Sequence, residues 1–123
     1  MGWRSGLEES VAKQLDSLQV PYEYEKLVIK YTPAPKTRRY TPDFVLLKNG
    51  IIVETKGRFV TADRQKHLAI KLEHPQLDIR FVFSNPNARI SKSSKTTYAK
   101  WCEDHGFQYA KLVIPLAWIQ ETA

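Results

Sequence analysis

Cysteine is all but missing from this 123-residue chain. Cys102 stands alone, so no disulfide framework and no cysteine-rich zinc site can be built, which suits a reducing cytosol. Long apolar runs are absent as well: no stretch approaches the length of a transmembrane helix. Met1-Gly2-Trp3-Arg4 leads into a polar helical pattern instead of a signal sequence. Internal repeats and low-complexity tracts are also lacking. Acidic residues are the minority charge, 13 against 19 Lys and Arg, giving a net charge of +6 and a pI of about 9.5. That balance favours a polyanionic partner without identifying one. Apolar residues at 42% and charged residues at 26% are ordinary globular values, and the length suits one domain spanning residues 1–123.

What is present centres on Tyr40-Thr41-Pro42-Asp43-Phe44-Val45-Leu46-Leu47-Lys48-Asn49-Gly50-Ile51-Ile52-Val53-Glu54-Thr55-Lys56-Gly57. Two β-branched and aromatic runs flank Asn49-Gly50, the dipeptide best suited to a two-residue type I′ turn, so a tight hairpin is expected. In that register Leu47 faces Ile52, Val45 faces Glu54, and Asp43 faces Lys56. Alternation then puts Asp43, Val45, Leu47, Ile52, Glu54 and Lys56 on one face, and Phe44, Leu46, Ile51 and Val53 on the other. Both faces are mostly apolar, which predicts a central hairpin covered on both sides.

Asp43 and Glu54 become diagonal neighbours roughly 7–8 Å apart at the backbone, close enough to share an ion. Buried carboxylates need a compensating cation, and oxygen ligands suit Mg²⁺, with Mn²⁺ able to substitute. Lys56 beside them can orient a water or stabilise charge developing on a phosphate. This is the chemistry of phosphodiester hydrolysis. The plain structural alternative is a cross-strand ion pair between Asp43 and Lys56, with Glu54 at a solvated edge.

Around the hairpin, Leu7, Val11, Leu15 and Leu18 mark a helix over 5–18. Ser5 and Glu8 have the spacing of a capping box, which is a complete structural account of Glu8. Residues 22–30 read as a strand, and 31–39, with Pro33 and Pro35, as an extended basic segment. A helix is expected over 62–73 with Thr61 as its N-cap. Its Arg64, His67 and Lys71 form a basic stripe, with Gln65, Leu68, Ala69 and Leu72 on the opposite side. A strand over 77–83 completes a βαβ unit. Residues 84–95 form a polar loop carrying Arg89, Lys92 and Lys95, either phosphate-contacting or simply solvated. A helix over 97–105 stops at Gly106, with Tyr98 and Trp101 as packing residues, and a last strand covers 107–114. The fold class is α/β, a mixed central sheet flanked by helices.

Pro42-Asp43 followed by Glu54-Thr55-Lys56 resembles the PD-(D/E)xK nuclease signature. Arg4-Ser5-Gly6-Leu7-Glu8, Tyr40-Thr41-Pro42-Asp43-Phe44, Val53-Glu54-Thr55-Lys56-Gly57, Lys66-His67-Leu68, His74-Pro75, Leu77-Asp78-Ile79-Arg80, Val82-Phe83-Ser84, His105-Gly106 and Trp118-Ile119 together resemble the bacteriophage endonuclease I family of junction-resolving enzymes. The resemblance implies a restriction-endonuclease-like core, Glu8, Asp43, Glu54 and Lys56 as catalytic residues, and Asp43, Glu54 and the Thr55 main-chain carbonyl as ligands of Mg²⁺. It also implies a domain-swapped homodimer in which residues 27–39 bridge the subunits, and branched DNA, above all the four-way Holliday junction, as substrate. The setting would be recombination in the cytoplasm of an infected host cell, with no membrane involved. Arg38, Arg39, Arg58, Arg64, Lys66, His67, Lys71, Arg89, Lys92 and Lys95 are the candidate DNA contacts. A restriction- or mismatch-type nuclease acting on duplex DNA, and a non-catalytic DNA-binding module, are the alternatives.

Overall fold

The computed structural model describes residues 2–32 and 37–123. Helix α1 (Gly6–Ser17) begins where the Ser5 hydroxyl accepts the Glu8 N–H at 3.1 Å. Its Val11, Ala12 and Leu15 are buried. The capping box is only half formed. The Glu8 carboxylate does not return to Ser5 but accepts from the Arg4 N–H at 2.9 Å and from the Tyr24 hydroxyl at 2.7 Å.

The segment expected as one strand over 22–30 is broken in two. β1 (Tyr22–Tyr24) and β2 (Ile29–Tyr31) are separated by a stretch that starts at Glu25, whose φ is +51°. That left-handed conformation crowds a Cβ and ends an extended run. The two halves consequently join different sheets. β1 pairs antiparallel with β4 (Phe44–Leu46), while β2 pairs antiparallel with β3 (Arg38–Tyr40). Arg38 and Arg39 of the expected bridge thus lie on a strand. Pro33, Ala34, Pro35 and Lys36 of that bridge fall outside the described residues.

β4 continues into β5 (Ile52–Lys56) with Phe44 opposite Val53 and Val45 opposite Ile52. This pairing is offset by two residues from the one a two-residue turn would impose. The connection is a four-residue loop, 47–50, closed by hydrogen bonds from Gly50 N–H to the Leu46 carbonyl at 2.7 Å and from Leu46 N–H to the Ile51 carbonyl at 2.9 Å. A type I′ turn needs positive φ at both central residues; Gly50 has it, at +76°, and Asn49 does not. Asn49 is used differently. Its Oδ1 accepts the Ile51 N–H at 3.1 Å, and its Nδ2 donates to the carbonyls of Trp118 and Glu121 at 2.8 and 3.1 Å. Because the offset is even, each side chain keeps the face that alternation assigns it.

From β5 the chain passes through α2 (Thr61–Glu73) to β6 (Ile79–Phe83), and through α3 (Tyr98–His105) to β7 (Tyr109–Lys111), before a short α4 (Leu116–Gln120). The five-stranded sheet has the order β1-β4-β5-β6-β7, antiparallel as far as β5 and parallel beyond it. Both parallel connections run through a helix, as βαβ units do. Two apolar layers cover the sheet. Ile52, Phe81 and Phe83 pack with Phe59, Ile70, Trp101 and Phe107 on one side; Phe44, Val53 and Val82 pack with Val11, Leu15 and Trp118 on the other. Tyr98 and Trp101 are core residues, as expected. Among the described residues no helix is long and apolar enough to cross a membrane.

Helix α2 reverses the expected orientation. Arg64, His67 and Ile70 form its buried face, while Leu72 is 87% exposed. Val60 occupies the N-cap with no side-chain hydrogen bond. The Arg64 guanidinium turns back to the Phe59 carbonyl and the Thr61 hydroxyl, so its burial is satisfied locally.

Asn49 ties the hairpin loop to the C-terminal segment through two hydrogen bonds and braces the loop itself with a third. Asn49→Ala should therefore lower unfolding free energy by about 1–3 kcal/mol, the usual cost of leaving buried partners unmet. Urea denaturation beside Lys48→Ala, whose exposed side chain should be neutral, checks this.

Candidate active site

The open end of the β4–β5 hairpin is closed by reciprocal hydrogen bonds between two acids and the opposite backbone. The Asp43 N–H donates to Glu54 Oε2 at 2.8 Å, and the N–H and hydroxyl of Thr55 both donate to Asp43 Oδ2, at 2.9 and 3.0 Å. The backbone register thus fixes both carboxylates. Onto this end α1 lowers Glu8, which is 5% exposed. Where β1 ends, Glu25 joins, its N–H donating to the Asp43 carbonyl at 3.1 Å and its carboxylate pairing with Arg4 at 2.8 Å. Carboxylate oxygens of Glu8, Glu25 and Asp43 all lie within 4.8 Å of one another.

Glu54 sits on the inner side of this group, 3% exposed. Its Oε1 lies 4.0 Å from Lys56 Nζ and 3.8 Å from His67 Nε2. Lys56 also pairs with Asp63 at 3.5 Å, so an acid on the first turn of α2 steadies the ammonium group. Burial, with Asp43 as a near negative charge, pushes the Glu54 carboxyl up to about 8, against the pull of Lys56. Burial and Glu8 raise Asp43 to about 6, although the hydrogen bonds from Thr55 and the charge of Lys56 oppose them. His67, walled in and facing the charges of Lys56 and Lys66, is held well below the ordinary histidine value and is neutral.

Glu8, Asp43, Glu54 and Lys56, singled out from the sequence, are therefore brought together, and the Thr55 main chain lies between Glu54 and Lys56 on β5. An all-oxygen donor set in which Asp43 and Glu54 both resist ionisation fits a hard divalent cation. Asp43, Glu54 and the Thr55 carbonyl are the residues that would hold it, with Glu8 beside them. Two members of the neighbourhood had not been singled out. Glu25 sits in an alternating Tyr-Glu-Tyr-Glu run that looks like any solvated strand, and Asp63 looks like a favourable first-turn acid. Only the positive φ at Glu25 and the fold around α2 bring them here.

The basic candidates divide. Arg38, Arg39, Arg58, Lys71, Arg89, Lys92 and Lys95 are exposed, and Lys66 is half-buried with its ammonium 5.1 Å from the Tyr40 ring centroid. Lys71 leans on Phe107 and donates to the Gly106 carbonyl at 3.2 Å. Arg64 and His67 are buried on the core face of α2 and do not present themselves to a DNA backbone. The spacing of three basic residues suggested a stripe, but Ile70 on the same side anchors that face in the core.

The raised acids carry a consequence for stability. In the unfolded chain Glu54 titrates near 4.5 and in the folded one near 8, so above pH 4.5 the folded state holds the extra proton and stability falls as pH rises. His67 acts oppositely, but only below its unfolded value near 6.5. Between pH 6.5 and 8 the glutamate acts without that opposition. Metal-free protein should thus melt at progressively lower temperature across that interval, and Mg²⁺ should remove most of the slope; scanning calorimetry with and without EDTA reads both.

The whole chain, residues 1–123, matches the family model described as phage endonuclease I. It is 49% identical over 119 residues to endonuclease I of Escherichia phage T7, covering 97% of this chain and 79% of that protein. It is 48% identical over 119 residues to endodeoxyribonuclease 1 of Enterobacteria phage T3, covering 97% of this chain and 78% of the relative. With the acidic hairpin end, Lys56 and a match that spans every element of the fold, the chain belongs to the phage endonuclease I family and is a nuclease.

Proposed function

We propose that this protein is a structure-selective DNA endonuclease that uses Mg²⁺ to hydrolyse phosphodiesters and resolves four-way junctions. The observation that carries the reading is the convergence of Glu8, Asp43 and Glu54 beside Lys56, with Asp43 raised by burial and Glu8, and Glu54 by burial and Asp43. Asp43, Glu54 and the Thr55 carbonyl would hold the cation, with the Glu8 carboxylate beside Asp43 as a further oxygen donor. A cation there supplies Lewis-acid polarisation of the phosphate and a water that ionises near neutral pH. Lys56, held between Glu54 and Asp63, orients the attacking water and meets the charge developing on the phosphate. The exposed Arg38, Arg39, Arg58, Arg89, Lys92 and Lys95 contact the DNA backbone, consistent with the +6 net charge. The core is of the PD-(D/E)xK type and works in the cytoplasm of the infected host.

Resolution takes two incisions, and one hairpin supplies one site, so the working form is a two-fold homodimer. Exchange of the N-terminal elements through residues 27–39 gives composite sites, Glu8 from one subunit and the hairpin from its partner. Shape and flexibility of the branch, and not base sequence, select the substrate.

Three outcomes follow. Asp43→Ala should abolish Mg²⁺-dependent cutting of a four-way junction, by at least a hundredfold, while its junction affinity in gel shift stays within about threefold of native, since affinity comes from the cationic contacts. Native protein should cut the junction faster than linear duplex of the same sequence; faster cutting of the duplex points to a restriction- or mismatch-type enzyme. Co-refolded Glu8→Gln and Asp43→Ala chains should regain nicking, because an exchanged heterodimer holds one intact site. A dimer without exchange would leave both sites defective.

A further inference from the structure

His67 is fully enclosed, and neither ring nitrogen has a hydrogen-bond partner. Its imidazole is boxed edge-on by Tyr40, Phe81 and Phe107, with ring centroids 5.2, 4.9 and 6.5 Å away. If packing were all this position needed, an apolar ring would serve better, because buried polar atoms are costly unless satisfied. One direction is polar. Nε2 faces Glu54 Oε1 at 3.8 Å, just beyond hydrogen-bond reach. The hydroxyl of Tyr40, also buried and also without a hydrogen-bond partner, lies against the same carboxylate. Two of these orphaned polar atoms, His67 Nε2 and the Tyr40 hydroxyl, thus face one glutamate, whose other oxygen is already held by the Asp43 N–H at 2.8 Å.

We propose that His67 is a positioning residue for Glu54: the neutral imidazole closes its Nε2–H on Oε1 and holds the carboxylate in the orientation in which the cluster binds a divalent cation. The inference rests on Glu54 being a cation ligand. With Oε2 tethered to the hairpin backbone and Oε1 to the imidazole, the carboxylate cannot rotate into the apolar layer. Tyr40, whose hydroxyl lies against the same carboxylate, confines the imidazole through its ring edge. Partners that hold a metal-binding side chain in this way are commonly worth about 10–100-fold in metal affinity.

The test is Mn²⁺ binding to the full-length, DNA-free protein, measured by titration calorimetry for native chain, His67→Phe and His67→Gln, with melting temperatures alongside. His67→Phe keeps the ring and its aromatic box but has no N–H, and should bind Mn²⁺ at least tenfold more weakly while melting within a few degrees of native. His67→Gln, whose amide N–H reaches where Nε2 does, should recover much of the loss even if it melts lower. Tyr40→Phe should weaken binding by a smaller factor. Native affinity in His67→Phe overturns the inference and leaves the proposed catalysis standing, the imidazole being packing alone. Failure of the native chain itself to bind Mn²⁺ overturns both. Should His67→Phe not fold, His67→Met, which fills the space without a donor, takes its place: weaker binding there with recovery in His67→Gln supports the inference, and native binding there overturns it.

Discussion

Reciprocal hydrogen bonding at the end of one hairpin is the constraint from which the rest of the site follows. Asp43 gives its N–H to Glu54 and receives two donors from Thr55, so each acid is placed by the backbone of the strand opposite. A carboxylate held by backbone donors needs no long flexible arm to stay in position. The burden is instead thermodynamic, since two acids a strand apart in the interior disfavour each other's charge. The sheet keeps them there because β4 and β5 are clamped between two apolar layers that neither strand can leave without exposing Phe44, Ile52 or Val53.

The hairpin also shows why some features are legible in a sequence and others are not. Strand alternation has a period of two, so the choice of face for Asp43, Glu54 and Lys56 needs only the apolar pattern around them. The loop length, by contrast, depended on Asn49, and Asn49 is engaged from the far end of the chain by the carbonyls of Trp118 and Glu121. No local rule contains that contact. The face assignment survives because the pairing changed by an even number of residues; an odd change would have sent the acids into opposite layers.

Elements whose polar residues point inward were read least well, and for a common reason. On α2 the buried face carries Arg64 and His67, which composition assigns to water. Arg64 is affordable inside because the Phe59 carbonyl and Thr61 hydroxyl lie within its reach, and His67 because burial holds it neutral among aromatic edges. At Glu25 the missing information is conformational: a left-handed residue in an otherwise alternating run both ends β1 and turns an apparently solvated carboxylate toward Asp43. Helices α1 and α3 followed their expected bounds closely, α1 from its Ser5 cap and α3 to its stop at Gly106.

A basic protein that concentrates acid at one point must separate the two signs in space. Among the described residues, five carboxylates gather at the hairpin end, Glu8, Glu25, Asp43, Glu54 and Asp63, and the basic side chains paired into that group are Arg4 and Lys56. The imbalance cannot be met from α2, because His67 is neutral where it stands. Protons supply part of the difference, as the raised values of Asp43 and Glu54 record. The exposed Arg and Lys residues elsewhere are solvated, and charges more than about 10 Å apart are screened at ordinary salt. The field near Asp43 therefore favours a cation, while the outer surface favours a polyanion. On the proposed function, substrate phosphate and cation each reduce the other's electrostatic cost, so the two should enter the site cooperatively.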